Sequence, residues 1–207
     1  MGLLQFATAA LALSTGVLAA PYTDPSTNIT YSEWISPEKI AIRIAIPDTA
    51  TQNAAFDVLL QLQAPKAVGW AGIAWGGSMV NNPLTVAWAS GTTAVVSSRR
   101  ASARTYPQAW TGAKYVILPG TVNNGTHWTL NTLITGVSRW DNTRINPASN
   151  AVALAYAQSA TPPSEPANNN TRFGIHNSRA KYNHDFAAAK IKDFEAQVQK
   201  LSSLGSA

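Results

Sequence analysis

Isoleucines at positions 40, 42, 44 and 46 alternate with Ala41, Arg43 and Ala45. A second run sets Phe56, Val58, Leu60 and Leu62 against Asp57, Gln61 and Gln63. A period of two puts successive side chains on opposite faces of a strand. Both runs therefore predict half-buried antiparallel strands with one face in a core. Further β-rich runs cover residues 30–35, 68–75, 84–89, 93–98, 115–118, 126–135 and 152–157, with Gly, Pro and Asn clusters between them. Many short strands with no helices between them predict an all-β, antiparallel sandwich or barrel. Residues 162–170 are rich in Pro, Ser and Asn and read as a surface loop. Beyond Asp185 the period changes: Ile191, Phe194, Val198 and Leu201 recur at helical spacing. The expected organisation is one domain over 20–189 and a short helical tail over 190–207, packed on the domain or on a partner.

Composition narrows the chemistry. With 207 residues, 45 % hydrophobic and 12 % charged, the chain is long enough for one sizeable core. Its net charge of +5 is mild, and three of those charges fall from Arg172 onward, where six basic face three acidic residues. Only Arg99, Arg100 and Arg104 cluster elsewhere; no nucleic-acid role is supported. These arginines follow a strand, and read either as exposed cations at the rim of a site or as a solvated strand end. The absence of cysteine excludes disulfides, thiolate zinc sites, iron–sulfur clusters and a C-x-x-C-H haem attachment.

The opening MGLLQFATAALALSTGVLAA is uncharged, apolar and ends in small residues. Val17 and Ala19 suit signal peptidase, so residues 1–19 read as a signal peptide and the mature protein as secreted and extracellular. Sequons at Asn28, Asn124 and Asn169 agree with that route, and no later run is apolar enough to span a bilayer.

Enzyme motifs are poor. Gly76-Gly77-Ser78-Met79 is not a nucleophile elbow, because no Gly follows Met79, and carboxylates are scattered. Scarcity is more informative. Met79 is the single methionine after Met1, and the histidines are His127, His176 and His184. A Met in an apolar segment fills gaps in a core; a Met presented from a Gly turn at a strand end also aims a soft ligand into a pocket. His184, just before Asp185, reads as a solvent-facing residue at a helix start. His127 reads as outward, opposite a core-facing Trp128. His176 follows the apolar Phe173-Gly174-Ile175 out of the Asn-rich loop, where a ligand could enter a site.

The run VGWAGIAWGGSMVNNPLTVAW (68–88), followed by VVSSR (95–99), THW (126–128), SRW (138–140) and FGIH (173–176), resembles the haem-binding cytochrome domain of fungal cellobiose dehydrogenases, also described as a DOMON-related iron reductase domain. The resemblance extends roughly over 30–189. It implies an immunoglobulin-like β-sandwich holding one non-covalent haem b, with Met79 and His176 as axial ligands. Tyr106 is the nearest match to the family's propionate-binding Tyr. A cysteine pair common in the family is replaced by Ile134 and Val137, and a Gly after the His ligand by Ala180. The implied role is single-electron transfer, between an extracellular flavin dehydrogenase or small reductant and a copper polysaccharide monooxygenase or ferric iron. With no dehydrogenase segment after residue 189 in this sequence, the expectation is a monomeric electron-transfer protein and not a self-contained enzyme. The rival expectation is a haem-free module that displays some of its seven Trp and six Tyr to carbohydrate. Colour of the purified protein separates the two.

Overall fold

The computed structural model describes residues 20–204; the leader-like segment 1–19 and the last three residues lie outside it. Four strands open one sheet: β1 (Ala20–Thr23), β2 (Thr30–Ile35), β3 (Ala41–Pro47) and β4 (Val58–Pro65). The chain then crosses to a second sheet through β5 (Trp70–Trp75), β6 (Pro83–Ser90), β7 (Thr93–Arg100) and β8 (Gln108–Ala109). It returns to the first sheet as β9 (Lys114–Ile117), β10 (Val122–Asn123) and β11 (His127–Thr135). A small ribbon of β12 (Arg139–Trp140) and β13 (Thr143–Arg144) leads to β14 (Val152–Ser159) and β15 (Ser178–His184), which complete the second sheet. Last come β16 (Lys190–Ile191) and helix α1 (Phe194–Ser203).

The first sheet runs β1-β2-β3-β4-β11-β10, with β9 also on β11 and β16 parallel to β3; the second runs β15-β14-β5-β6-β7-β8. All other pairings between these strands are antiparallel. Ser90 pairs with Thr93, so β6 and β7 are joined by two residues, and Gly91 at φ +58° supplies the left-handed conformation that such a turn needs. The result is the expected two-sheet sandwich. Its interior is filled by the inward residues of both sheets, among them Ile42, Ile44, Leu60, Leu62, Ile73, Trp75, Trp128 and Leu154. No cysteine bridge is needed: Ile134 and Val137 are fully buried in that core.

Three expectations need correction. β3 and most of β4 are buried on both faces, because α1, the Tyr22 side chain and a polar network cover the outer face of the first sheet. Ile191 belongs to β16 and not to the helix; Phe194 and Leu201 are the buried positions of α1, which packs on the sandwich. β15 was not expected, since its outward Arg179, Lys181 and Asn183 mask the inward Tyr182 and His184. It is an edge strand, where exposed cations discourage pairing with other chains.

Candidate functional site

The outer face of the second sheet is apolar. Trp70 and Ala74 of β5 join Leu84, Val86 and Trp88 of β6 in a buried cluster, and Met79, Val95, Ala155, Ala157 and Phe173 pack against it. The sequence of β14 explains part of this. In Val152-Ala-Leu-Ala-Tyr-Ala-Gln158 the large Leu154 and Tyr156 enter the core, while the alanines alternate outward. Gly72 pairs with Ala157, and a Cβ on it would lie 3.2 Å from the Thr85 carbonyl oxygen. The face is thus floored with small residues and flanked by aromatic rings.

Met79 reaches this face from a braced turn. Gly76 at φ +103° and Gly77 at φ +81° adopt conformations that side chains resist, and a Cβ on Gly76 would lie 2.6 Å from Asn82 Oδ1. Asn82 Nδ2 donates to the carbonyls of Ser78 (2.9 Å) and Val80 (3.2 Å), and Asn81 N donates to the Ala101 carbonyl (2.7 Å). The backbone on both sides of Met79 is therefore fixed, and its half-buried thioether side chain lies on the apolar cluster.

The loop before β15 crosses the same face, held by side chains beneath it. Trp88 Nε1 donates to the Pro166 carbonyl at 2.8 Å, and Ser97 Oγ donates to the Asn169 carbonyl at 2.6 Å. Tyr106 Oη donates to the Thr171 carbonyl and accepts from Phe173 N, both at 3.3 Å. The Phe173 ring lies 5.0 Å from Trp70 and 5.3 Å from Tyr106, and the Arg172 guanidinium 4.8 Å from Tyr106. His176 follows three residues later, half-buried, with Nδ1 3.5 Å from Arg179 Nη1. Ile175 beside it is 86 % exposed.

Met79 and Phe173 thus pack on the same apolar cluster, and Tyr106 lies against Phe173; the polar neighbour of His176 is Arg179. The other histidines lie elsewhere. His127 is on the first sheet, with Nδ1 3.2 Å from Thr126 Oγ1, and faces outward as expected. His184 is not solvent-facing. It points inward from β15, fully buried, with Nε2 3.1 Å from the Ser32 carbonyl, because the helix starts ten residues later than its expected position there. Burial lowers its pKa to about 4, although the Ser32 carbonyl favours the cation. The basic cluster also differs from expectation. Arg99 is buried under the loop, Arg100 pairs with Asp141, and Arg104 alone is exposed. Sequence reasoning missed Trp70, Trp88, Arg172 and Phe173; the alternating alanines of β14 are the signal that this face is used.

The model of the cytochrome domain of cellobiose dehydrogenase matches residues 22–196. The chain belongs to this family. A curated relative, the pyrroloquinoline quinone-dependent pyranose dehydrogenase of Coprinopsis cinerea, is 28 % identical over 183 residues. That match covers 87 % of this chain but 25 % of the relative, so the chain spans about a quarter of its length. Among solved structures, the cytochrome b domain of the Coprinopsis cinerea pyranose dehydrogenase has TM-score 0.79 at 24 % identity, covering 89 % of this chain and 96 % of that one. The cytochrome domain of Myriococcum thermophilum cellobiose dehydrogenase has TM-score 0.76 at 23 % identity, covering 89 % and 96 %. Both share the fold.

A cytochrome domain implies haem and electron transfer, and the residues present fit such a group. A flat, apolar macrocycle needs a floor free of bulky side chains; Gly72, Ala155 and Ala157 are small residues on this face, where the Met79 thioether, a soft donor, also lies. Among the described residues no three His, Cys, Asp or Glu side chains gather as a metal site, and no helix is long and apolar enough to cross a membrane.

Proposed function

We propose that this cytochrome domain is a secreted, monomeric carrier of single electrons that holds haem b without covalent attachment. Met79 and His176 would be the axial ligands, and Tyr106 would lie near a propionate. The observation that carries this reading is the Met79 thioether, presented from a braced glycine turn onto an apolar face that the His176 loop also crosses. When bound, haem supplies a one-electron couple, and a Met/His ligand pair raises its potential. The protein's own work is positional. Asn82 fixes the Met79 turn, Trp88 and Tyr106 pin the loop that leads to His176, and the aromatic flank excludes water. With two side chains holding the iron, a bound haem would keep no position for a substrate, which would suit outer-sphere electron transfer. Donor classes are a flavin dehydrogenase, a small reductant or, from the curated relative's name, a quinone-dependent sugar dehydrogenase. Acceptors are a copper polysaccharide monooxygenase or ferric iron. Exposed Asn28, Asn124 and Asn169 suit glycosylation along a secretory route.

The carbohydrate-module reading finds little support. Six of the seven tryptophans are buried, and Trp110 is half-buried beside Arg100. No tryptophan forms an exposed platform.

Absorption spectroscopy tests the proposal. Purified protein should show a Soret band, with sharp, split α and β bands on reduction. His176→Ala should lose stable haem. Met79→Ala should become partly high-spin, with a lower potential and new binding of carbon monoxide. A colourless protein retarded on glucan, or a Met79→Ala protein spectrally identical to wild type, refutes it.

A further inference from the structure

Arg99 is 3 % exposed, yet among the described residues its nitrogens lie within 4 Å of no carboxylate; the ion pairs there join Arg43 to Glu33 and Arg100 to Asp141. Buried cations are ordinarily paired. The partners of Arg99 are neutral. Nε donates to Ser97 Oγ at 2.6 Å, and Nη2 donates to the carbonyls of Asn169 (3.0 Å) and Thr171 (2.9 Å). Ser97 Oγ in turn donates a hydrogen bond to the Asn169 carbonyl at 2.6 Å. The guanidinium carbon lies 5.5 Å from the Phe173 ring and 5.8 Å from Tyr106. One side chain from β7 therefore gathers two carbonyls of the crossing loop and ends beside the rings that cover the apolar face.

We propose that Arg99 is a positioning residue with two effects. Its bonds strap residues 169–173 onto the sheet, which sets Phe173 and the approach of His176. Its uncompensated charge also favours the reduced form of the group bound there, since reduction adds one negative charge and a buried cation acts through a low dielectric. The second effect rests on the haem reading above; the first does not.

Three variants separate them. Arg99→Met removes both bonds and charge, Arg99→Lys keeps the charge without the planar fork, and Ser97→Ala removes only the hydroxyl relay. The readouts are hydrogen exchange of amides 169–177 in the protein as purified, and the midpoint potential. Arg99→Met should exchange those amides at least tenfold faster while β3 and β4 stay protected, and should lower the potential by about 59 mV for each tenfold loss of preference for the reduced form. Arg99→Lys and Ser97→Ala should loosen the loop and keep the potential near that of wild type. Wild-type exchange in Arg99→Met overturns the strap, as it does in Arg99→Lys should the Met variant fail to fold. An Arg99→Lys potential shifted as far as that of Arg99→Met overturns the charge effect. A wild-type protein without a Soret band sinks the haem reading instead, and the exchange experiment still decides the strap.

Discussion

The sandwich has two outer faces, and they are closed in opposite ways. On the first sheet, α1 lies over the outward residues, with Phe194 and Leu201 against Ala45, Leu59 and Tyr31 and with Tyr22 of β1 beside them. Beside them, Arg43 Nε donates to Glu33 Oε2 (2.6 Å) and its Nη1 to Gln61 Oε1 (2.5 Å). Gln61 Nε2 in turn donates to Asp24 Oδ2 (2.6 Å) and Asn131 Oδ1 (3.0 Å). Burial would raise the Asp24 carboxyl, but hydrogen bonds from Ser26 and Gln61 hold it below the usual range. Polar groups there satisfy one another. On the second sheet a single loop crosses an apolar floor, held by side chains from below, and Met79 and Phe173 cover part of that floor themselves. One face is finished by a helix and a polar network; the other is covered by a loop laid over apolar side chains. The difference teaches where stability and function separate in this molecule.

The sharpest way to break that contrast is to fill the second face. Ala155→Trp puts a large ring on the floor between Ala74 and Lys181. Haem absorbance should vanish while the melting temperature changes by a few degrees at most. A retained Soret band would mean that the floor is not the binding surface.

The converse change belongs on the first face. Arg43→Met strands Glu33 and the Gln61 carbonyl without their donor. Removing one partner of a buried pair costs about 3–5 kcal/mol, which denaturant titration should register. The visible spectrum and potential should stay unchanged, and a spectral shift would show the two faces coupled.

Acid probes the interior between them. His184 is neutral in the fold, with a pKa of about 4 against 6.5 when unfolded. Between these values the unfolded chain binds more protons, so stability falls as pH drops from 6.5 to 4. The loss amounts to about 3 kcal/mol at most. His184→Gln should flatten that segment of the stability curve; Asp24, held below its ordinary range, acts at lower pH. An unchanged slope would place the titration elsewhere.

The smallest effect concerns Arg100. Its bridge to the half-exposed Asp141 should contribute no more than about 1 kcal/mol. Arg100→Ser should therefore leave stability nearly intact, and it should change electron transfer to an acidic partner only at low salt, since exposed charges are screened within about 10 Å at 0.1 M. A large stability loss would make the rim part of the structural framework.

Much of the scaffold is legible in residue order. The isoleucine alternation of β3, the two-residue turn before β7 and the apolar stripe of α1 each reflect a local period or a local backbone demand. The Gly-Gly-Ser-Met turn is likewise visible, because glycine at positive φ marks itself in sequence. The histidines were less legible. His127 faces outward as its neighbours suggested, but His184 is buried. Its flanking Asn183 and Asp185 look solvated, and only the pairing of β15 with β14 turns its ring toward Ser32. Arg99 misled in the same way: an arginine in a basic run reads as surface until a loop that is 70 residues distant is seen to cover it.

Sequence by itself determined most of the strands and the chain's membership of a cytochrome-domain family, because strand period, glycine turns and motif spacing are properties of neighbouring residues. The tertiary structure alone decided which outer face is covered by a helix and a polar network and which by a loop. Burial of a strand's second face depends on what a distant segment lays across it. Arg43 and Arg99 make the point: both are buried cations, one neutralised by a glutamate on the adjacent strand β2 and one bound only to carbonyls and a hydroxyl. No local pattern distinguishes them, since the partners that set their roles come from other strands and loops.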